Sequence, residues 1–440
     1  MIISDKKYLY AIGFHIFLGV AIFFVKDISK LYALIIFLFG FGYVIVNKNK
    51  NDEALYICSY VVGSEIIIRM TDGYLFYESA KYFIVLLLII GLIYKGFSSL
   101  PVMYLLFILL LVPGVFYGMY ELNYGSNIQK AISFSISGPV CLGISSLYCY
   151  RRPFSLNQLL NLLMFLGLPM ISLLTYIIIF NPSVRDIVTA TESNFQTSGG
   201  YGPNQVSTIL GLAIFIFFAL TLFKSKSTFI ISINVLLTFL FAFRGLVTFS
   251  RGGIYTGVFM IVLLLCMVYL NSNAMGKSKI VYIMISAFIL TLGIWIFASS
   301  QTNGLIEKRY ANQDARGRVK ESRLTGRETL IASEFDMFFK NPIMGVGVGK
   351  NQQYRQKETG INAASHNEIS RMLAEHGLFG VTCLLILIMV PLLLYFNNKQ
   401  HMFLFSFFIF WLLTINHAAM RLATPAFVYA LSLLRISNRN

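Results

Sequence analysis

"VSTILGLAIFIFFALTLF", residues 206–223, contains no charged side chain, and Lys224 and Lys226 follow at once. At 1.5 Å of rise per residue a helix of this length nearly crosses the roughly 30 Å hydrocarbon core of a bilayer. The apolar residues run continuously instead of alternating, which excludes a strand of a membrane barrel. Similar runs recur along the chain, near 8–25, 31–46, 54–69, 82–94, 101–118, 131–149, 159–180, 228–243, 254–270, 280–298, 381–396, 402–416 and 420–435. The third is interrupted by Glu65 and Arg69, and the last two share so short a turn that they also read as one re-entrant unit. The first run ends at Lys26 and Asp27 without a small-residue cleavage site, so it reads as a span and not as a signal peptide.

Composition agrees with the runs. Of 440 residues, 57% are hydrophobic and 12% charged, which excludes an ordinary soluble enzyme. The sequence therefore specifies an all-α polytopic membrane protein. It has about 12–14 transmembrane helices and one long outer loop containing short amphipathic helices. Residues 1–298 form an N-terminal bundle of about eleven spans, 299–380 the loop, and 381–440 the C-terminal spans. The formal charge of +16 would suggest nucleic acid in a soluble protein. Here most basic residues lie in loops, where the positive-inside rule and anionic lipids account for many of them, and no nucleic-acid partner is expected. The five cysteines have no metal-ligand or disulfide spacing.

Placing the N-terminus in the cytoplasm puts the Lys and Arg residues of the short loops mostly on that side, and the C-terminus as well. The connections 181–205 and 244–253 and the loop 299–380 then face outward. The loop begins with the basic run "EKRYANQDARGRVKESRLTGR" (307–327), which has no topological purpose there and invites an anionic ligand.

Two capping boxes punctuate this loop. Thr325 with Glu328 predicts a helix whose first turn carries Arg327 and whose apolar face is Leu330, Ile331, Phe335, Phe338 and Phe339. Ser365 with Glu368 predicts a second helix, with Ile369, Met372 and Leu373 facing inward and Gly377 ending it. His366 would then be its first residue, where the positive end of the helix disfavours an imidazolium and leaves a neutral base. The run "NPIMGVGVGK" between them alternates Gly345, Gly347 and Gly349. It reads either as a turn or as a nest of backbone N–H groups for an anion.

Elsewhere, "FRGLVTFSRGG" (243–253) sets Arg244 and Arg251 at the outer ends of two spans, where an arginine is either functional or merely snorkelling. "GGYGPNQVST" (199–208) places Asn204 at the mouth of another span. His417 beside Arg421 is a further candidate, and His376 reads as scaffold. Glu334 and Asp336 point some 200° apart on a helix, and there is no H-E-x-x-H, so no metal site is expected.

Ser-Arg-Gly-Gly at 250–253, Gly326-Arg327 followed by an amphipathic helix and "NPIMGVGVG", and "SHNEISRMLAEHGLFG" (365–380) together resemble the superfamily of O-antigen ligases and O-antigen polymerases. The resemblance implies a GT-C-like membrane glycosyltransferase of the bacterial inner membrane, inverting and metal-independent, with a long periplasmic loop and no cofactor. Its donor would be a glycan on undecaprenyl diphosphate. Its acceptor would be lipid A core in a ligase, or another lipid-linked repeat in a polymerase. Membrane lipids would surround it. It further implies that His366 is catalytic and that Arg251 and Arg327 bind the diphosphate. Arg244 and Asn204 join the binding set on position alone. The rival reading is a polysaccharide flippase or other transporter. It suits the many spans, but not a charge concentrated in one loop with no internal repeat.

Overall fold

The computed structural model describes residues 5–122, 127–225, 227–320, 327–417 and 420–437. They form a helical bundle: α1 (Asp5–Phe24), α2 (Ile28–Asn47), α3 (Glu53–Met70), α4 (Ser79–Lys95), α5 (Val102–Glu121), α6 (Ile128–Cys149), α7 (Leu156–Phe180), α8 (Pro203–Phe223), α9 (Thr228–Leu246), α10 (Arg251–Leu270) and α11 (Ala274–Gln301). The loop then folds as α12 (Leu305–Tyr310), α13 (Arg327–Lys340) and α14 (Asn351–Thr359), and α15 (Glu368–Asn397), α16 (Leu404–Ile415) and α17 (Thr424–Leu431) follow. Ten of the described helices are long and apolar enough to cross a membrane. The protein is an all-α polytopic membrane protein. The described strands are two short parallel ones, β1 (Pro153–Ser155) and β2 (Arg435–Ser437).

Each element of the expected span series has its helix, including the charged third. Glu65 and Arg69 do not break α3, because they pair at 2.9 Å inside the bundle. Glu78 at the head of α4 lies 2.7 Å from Lys81 and 3.7 Å from Arg69, so four buried charges balance. A buried charge is tolerable only when paired in this way. Glu65 Oε2 also accepts the Ala423 N–H at 2.8 Å, which ties α3 to the turn between α16 and α17.

Both of those helices are short. At about 1.5 Å per residue, α16 is only about 18 Å long and α17 shorter still, well under a full crossing. Both ends of the pair away from the turn are anchored: His401 Nε2 contacts Leu431 O at 3.0 Å, and Asn398 donates to Leu434 O at 2.7 Å. His417 and Arg421, which flank the α16–α17 connection, lie against the heads of α8 and α15. At the same anchored end, Asp52 pairs with Lys95 (2.6 Å) and Arg152 (3.2 Å) and accepts from Tyr148 (2.9 Å), closing the bundle there.

α8 and α10 cross backbone to backbone. A Cβ on Gly253 would lie 2.1 Å from Ser207 O, and one on Gly211 2.0 Å from Gly253 O. Small residues that let membrane helices touch in this way fix their angle and depth. Here they set the N-terminus of α10, and with it Arg251, against the N-terminus of α8.

Candidate functional site

The candidate site lies where the N-termini of α8 and α10 meet α12, the start of α13 and the residues His417 and Arg421. The Ser-Arg-Gly-Gly motif acts there residue by residue. Ser250 Oγ donates to Asn204 Oδ1 (2.8 Å) and accepts from Ser207 Oγ (2.9 Å), joining the heads of α10 and α8. Arg251 opens α10 and donates through Nη1 to Arg309 O at 3.4 Å. Gly252 leaves room for the His417 ring, which a Cβ would meet at 2.8 Å. Gly253 makes the close helix crossing. Asn204 thus positions the motif through Ser250.

Arg309, unremarked within the basic run of the sequence, is brought in by α12. It is buried, donating through Nε to Phe249 O at 2.9 Å and through Nη2 to Ser193 Oγ at 3.5 Å. Phe249 has φ 58°, a left-handed conformation rare for a bulky residue, and that turn presents its carbonyl to the guanidinium. Burial pulls the Arg309 pKa down, and the charges of Arg251 and Arg327 pull it further. Arg327, at the start of α13, is lowered first by burial and then by Arg421. Arg421 reaches across from the turn and donates to Ser365 O at 3.1 Å, with burial lowering its pKa too. Arginines from four separate segments are thus linked by charge, Arg251 and Arg327 acting on Arg309 and Arg421 acting on Arg327, which concentrates positive potential there.

His366 sits inside this field. Burial pushes its pKa down to about 4, and Arg421, Arg327 and Arg355 add to the effect in that order. The direction agrees with the neutral imidazole expected from the sequence, but the cause is another. The N-cap of α15 is Asn367, not Ser365: Asn367 Oδ1 accepts the Ile369 and Ser370 N–H groups at 2.9 and 3.2 Å. Ser365 instead makes a local turn, its Oγ accepting the Asn367 N–H at 3.3 Å and donating to Asn367 O at 2.9 Å. His366 thus precedes the helix, and neighbouring arginines and burial, not a first-turn position, keep it neutral. Asn367 Nδ2 also donates to Asn416 Oδ1 at 3.0 Å, docking the histidine segment on the end of α16.

The segment is held from behind by a buried ion pair. Arg355 on α14 lies 2.5 Å from Glu334 on α13 and also donates to Ser333 Oγ (2.9 Å) and to Ala363 O, while Glu334 Oε2 accepts from Ser370 Oγ at 2.5 Å. Glu334 is engaged there, and Asp336 pairs with Lys340 at 2.8 Å on the exposed side of α13, so the two acids do not converge. The face that α13 buries is Leu330, Glu334 and Met337; Phe335 and Phe339 are exposed, unlike the apolar face read from the sequence. The capping box at Thr325 lies outside the described residues.

Two further readings change. Arg244 does not join the arginines described above: it is buried and donates to Asn181 O at 2.9 Å, closing the end of α9. The glycine run is no anion nest for a ligand. Val346 and Gly347 donate to Ala374 O (2.8 Å) and Glu375 O (3.2 Å), Val348 to Gly114 O (2.9 Å) and Gly349 to Glu375 Oε1 (3.0 Å). Gly345, Gly347 and Gly349 all take positive φ so that the strand can thread between α5 and α15. Gly377, with φ 58° and ψ −135°, breaks α15 into a loop-side and a membrane-side part, as the sequence suggested for the helix end. His376 is buried against Gly114, where a Cβ would lie 2.4 Å from its Nδ1. His417 is shared between Thr208 Oγ1 (3.1 Å) and Leu413 O (3.0 Å).

Fold and site together define a multi-pass membrane protein with several arginines brought together at one end of its bundle. Residues 236–385 match the family model described as O-Antigen ligase, a stretch from α9 into α15 that carries Arg251, Arg309, Arg327 and His366. This stretch is similar to the O-antigen ligases, a ligase- and polymerase-type family of membrane glycosyltransferases. A comparison with curated proteins gives no match.

Proposed function

We propose that the protein transfers a glycan from undecaprenyl diphosphate to an acceptor hydroxyl at the periplasmic face of a bacterial inner membrane, with both termini in the cytoplasm. The observation that carries this reading is that Arg421 and Arg327 act on His366, while Arg309 connects Arg327 with Arg251. When the bond from the sugar anomeric carbon to the diphosphate breaks, negative charge grows on the leaving oxygen. Fixed guanidinium groups stabilise that charge without reorganising, and their planar forks match phosphate oxygens. The acceptor oxygen attacks the opposite face of the anomeric carbon, so the new glycosidic bond forms with inversion. Its proton passes to His366, which releases it to solvent after the lipid diphosphate leaves. The diphosphate's own charge opposes that of the arginines and raises the basicity of His366 in the loaded state. The arginine set supplies the charge that a divalent cation supplies elsewhere, so EDTA leaves the rate unchanged.

The acceptor is lipid A core if the protein is a ligase, and another lipid-linked repeat if it is a polymerase. Deleting the gene separates these. Loss of a ligase leaves long polymer on the lipid carrier and bare lipid A core, whereas loss of a polymerase leaves single repeats attached to the core. Accumulation of lipid-linked repeats on the cytoplasmic face would instead identify a flippase and end the transferase reading.

A further inference from the structure

Beside Ala364 and Ser365 lies a cleft of about 420 Å³, within the range of small-molecule sites, roughly 300–1,000 Å³. It runs between the first turns of α6, the start of α14 and the residues Met420 and Arg421. Its chemistry differs from that of the arginine site. Arg371, on its wall, is neutralised between Glu368 and Glu375 and so offers little charge. The remaining lining mixes neutral hydrogen-bonding groups, Ser135, Asn351, Gln352 and Ser365, with a cation, Lys130, and with apolar groups that include the exposed ring of Phe134. Gln352 is held in place by its amide, which donates to Asn362 Oδ1 at 2.5 Å. A flat apolar ring flanked by amides and hydroxyls suits a sugar, which presents an apolar face and a rim of hydroxyls.

Arg421 belongs to both the cleft and the arginine site. It lines the cleft and holds Ser365 O, while its charge reaches His366 and Arg327. Its Nε is buried and has no hydrogen-bond partner among the described residues. Ala364 and Ser365, which line the cleft, lead directly into His366.

Resting on the proposed transfer reaction, we infer that this cleft is the acceptor subsite: it binds the uncharged sugar units of the accepting glycan and presents their hydroxyl to His366, while the arginine site holds the donor diphosphate.

The test uses the full chain in nanodiscs. The binding probe is the oligosaccharide repeat freed by mild acid from the host's own surface polysaccharide, with inorganic diphosphate as the second probe. Ser135→Trp fills the cleft, and Gln352→Ala removes one amide without adding bulk. The inference predicts saturable binding of the oligosaccharide to the wild type, weakened about tenfold in Ser135→Trp, equivalent to about 1.4 kcal/mol, and measurably weakened in Gln352→Ala. In the transfer assay both variants raise KM for acceptor, and inorganic diphosphate inhibits them as it inhibits the wild type. Equal oligosaccharide binding by all three proteins, or a change in diphosphate inhibition with acceptor KM unchanged, overturns the inference. If the wild type releases no lipid diphosphate, the transfer reading fails, and the binding measurement still decides the cleft.

Discussion

The Glu334–Arg355 pair holds His366 in place without touching it, and its removal has a calculable effect. The two side chains are 1% and 0% exposed and lie 2.5 Å apart, and Arg355 also holds Ser333 and the Ala363 carbonyl three residues before the histidine. Removing one partner of such a pair leaves the other charged and buried, which costs about 3–5 kcal/mol. The opening is local to the loop module. About 3 kcal/mol raises the open population roughly a hundredfold, since each 1.4 kcal/mol is a factor of ten. Glu334→Gln and Arg355→Met should each accelerate amide exchange across 363–376 by about that factor and lower transfer in parallel, leaving the exchange of α8 and α10 as it was. In the double variant no buried charge remains unpaired, so its cost should fall below the sum of the singles by at least about 2 kcal/mol. Exchange read by mass spectrometry on the four proteins checks this. Single variants that change exchange less than threefold, or a double variant that simply adds the two, would refute the reasoning.

Asn367→Ala removes the cap of α15 and should cost about 1 kcal/mol, read as roughly fivefold faster exchange at the Ile369 and Ser370 amides; Ser365→Ala should leave those two amides alone, and the opposite ranking would restore the capping box. Because burial and the arginines lower the His366 pKa to about 4, the neutral base persists as pH falls well below the ordinary histidine range. The acid limb of kcat/KM, which reports the free enzyme, should therefore lie below 6.5, and Arg327→Gln should move it upward; a limb at the ordinary value contradicts the placement. Gly253→Ala drives a Cβ to 2.1 Å from Ser207 O and should sharply reduce the yield of folded protein, whereas Gly293→Ala on α11, with nothing within 4 Å, should be tolerated, as expression and thermal unfolding will show.

The bundle was legible because lipid imposes a length and an apolarity that no soluble helix needs, and even α3 kept its register despite Glu65 and Arg69. What the sequence could not show is that those charges pair internally with each other and with Glu78 and Lys81 across some ten residues of connection. His366 and Arg327 were legible as neighbours of caps, yet the cap itself was misplaced. Ser365 and Asn367 both suit the position, and only the backbone decides which oxygen meets the orphan N–H groups. Arg309 hid in a run of basic residues where charge counting cannot tell an inward guanidinium from a solvated one. Arg421 was visible only as a companion of His417, since its approach to Ser365 depends on where the α16–α17 connection lies. Arg244 misled in the converse way: at a span end it looks like Arg251, but its partner is the Asn181 carbonyl, more than sixty residues earlier. The glycines at 345–349 were correctly seen to need freedom, and the reason is close passage between helices.

The most direct test of the central claim is single-turnover release of undecaprenyl diphosphate. Lipid-linked glycan extracted from a strain lacking the protein is presented to the purified chain in nanodiscs together with its acceptor. The account predicts release matched by elongation of the acceptor in the wild type, and loss of both in His366→Ala and in the Arg251→Gln/Arg327→Gln double variant, with abundance and thermal unfolding unchanged. Near-normal release by His366→Ala at normal abundance would contradict it.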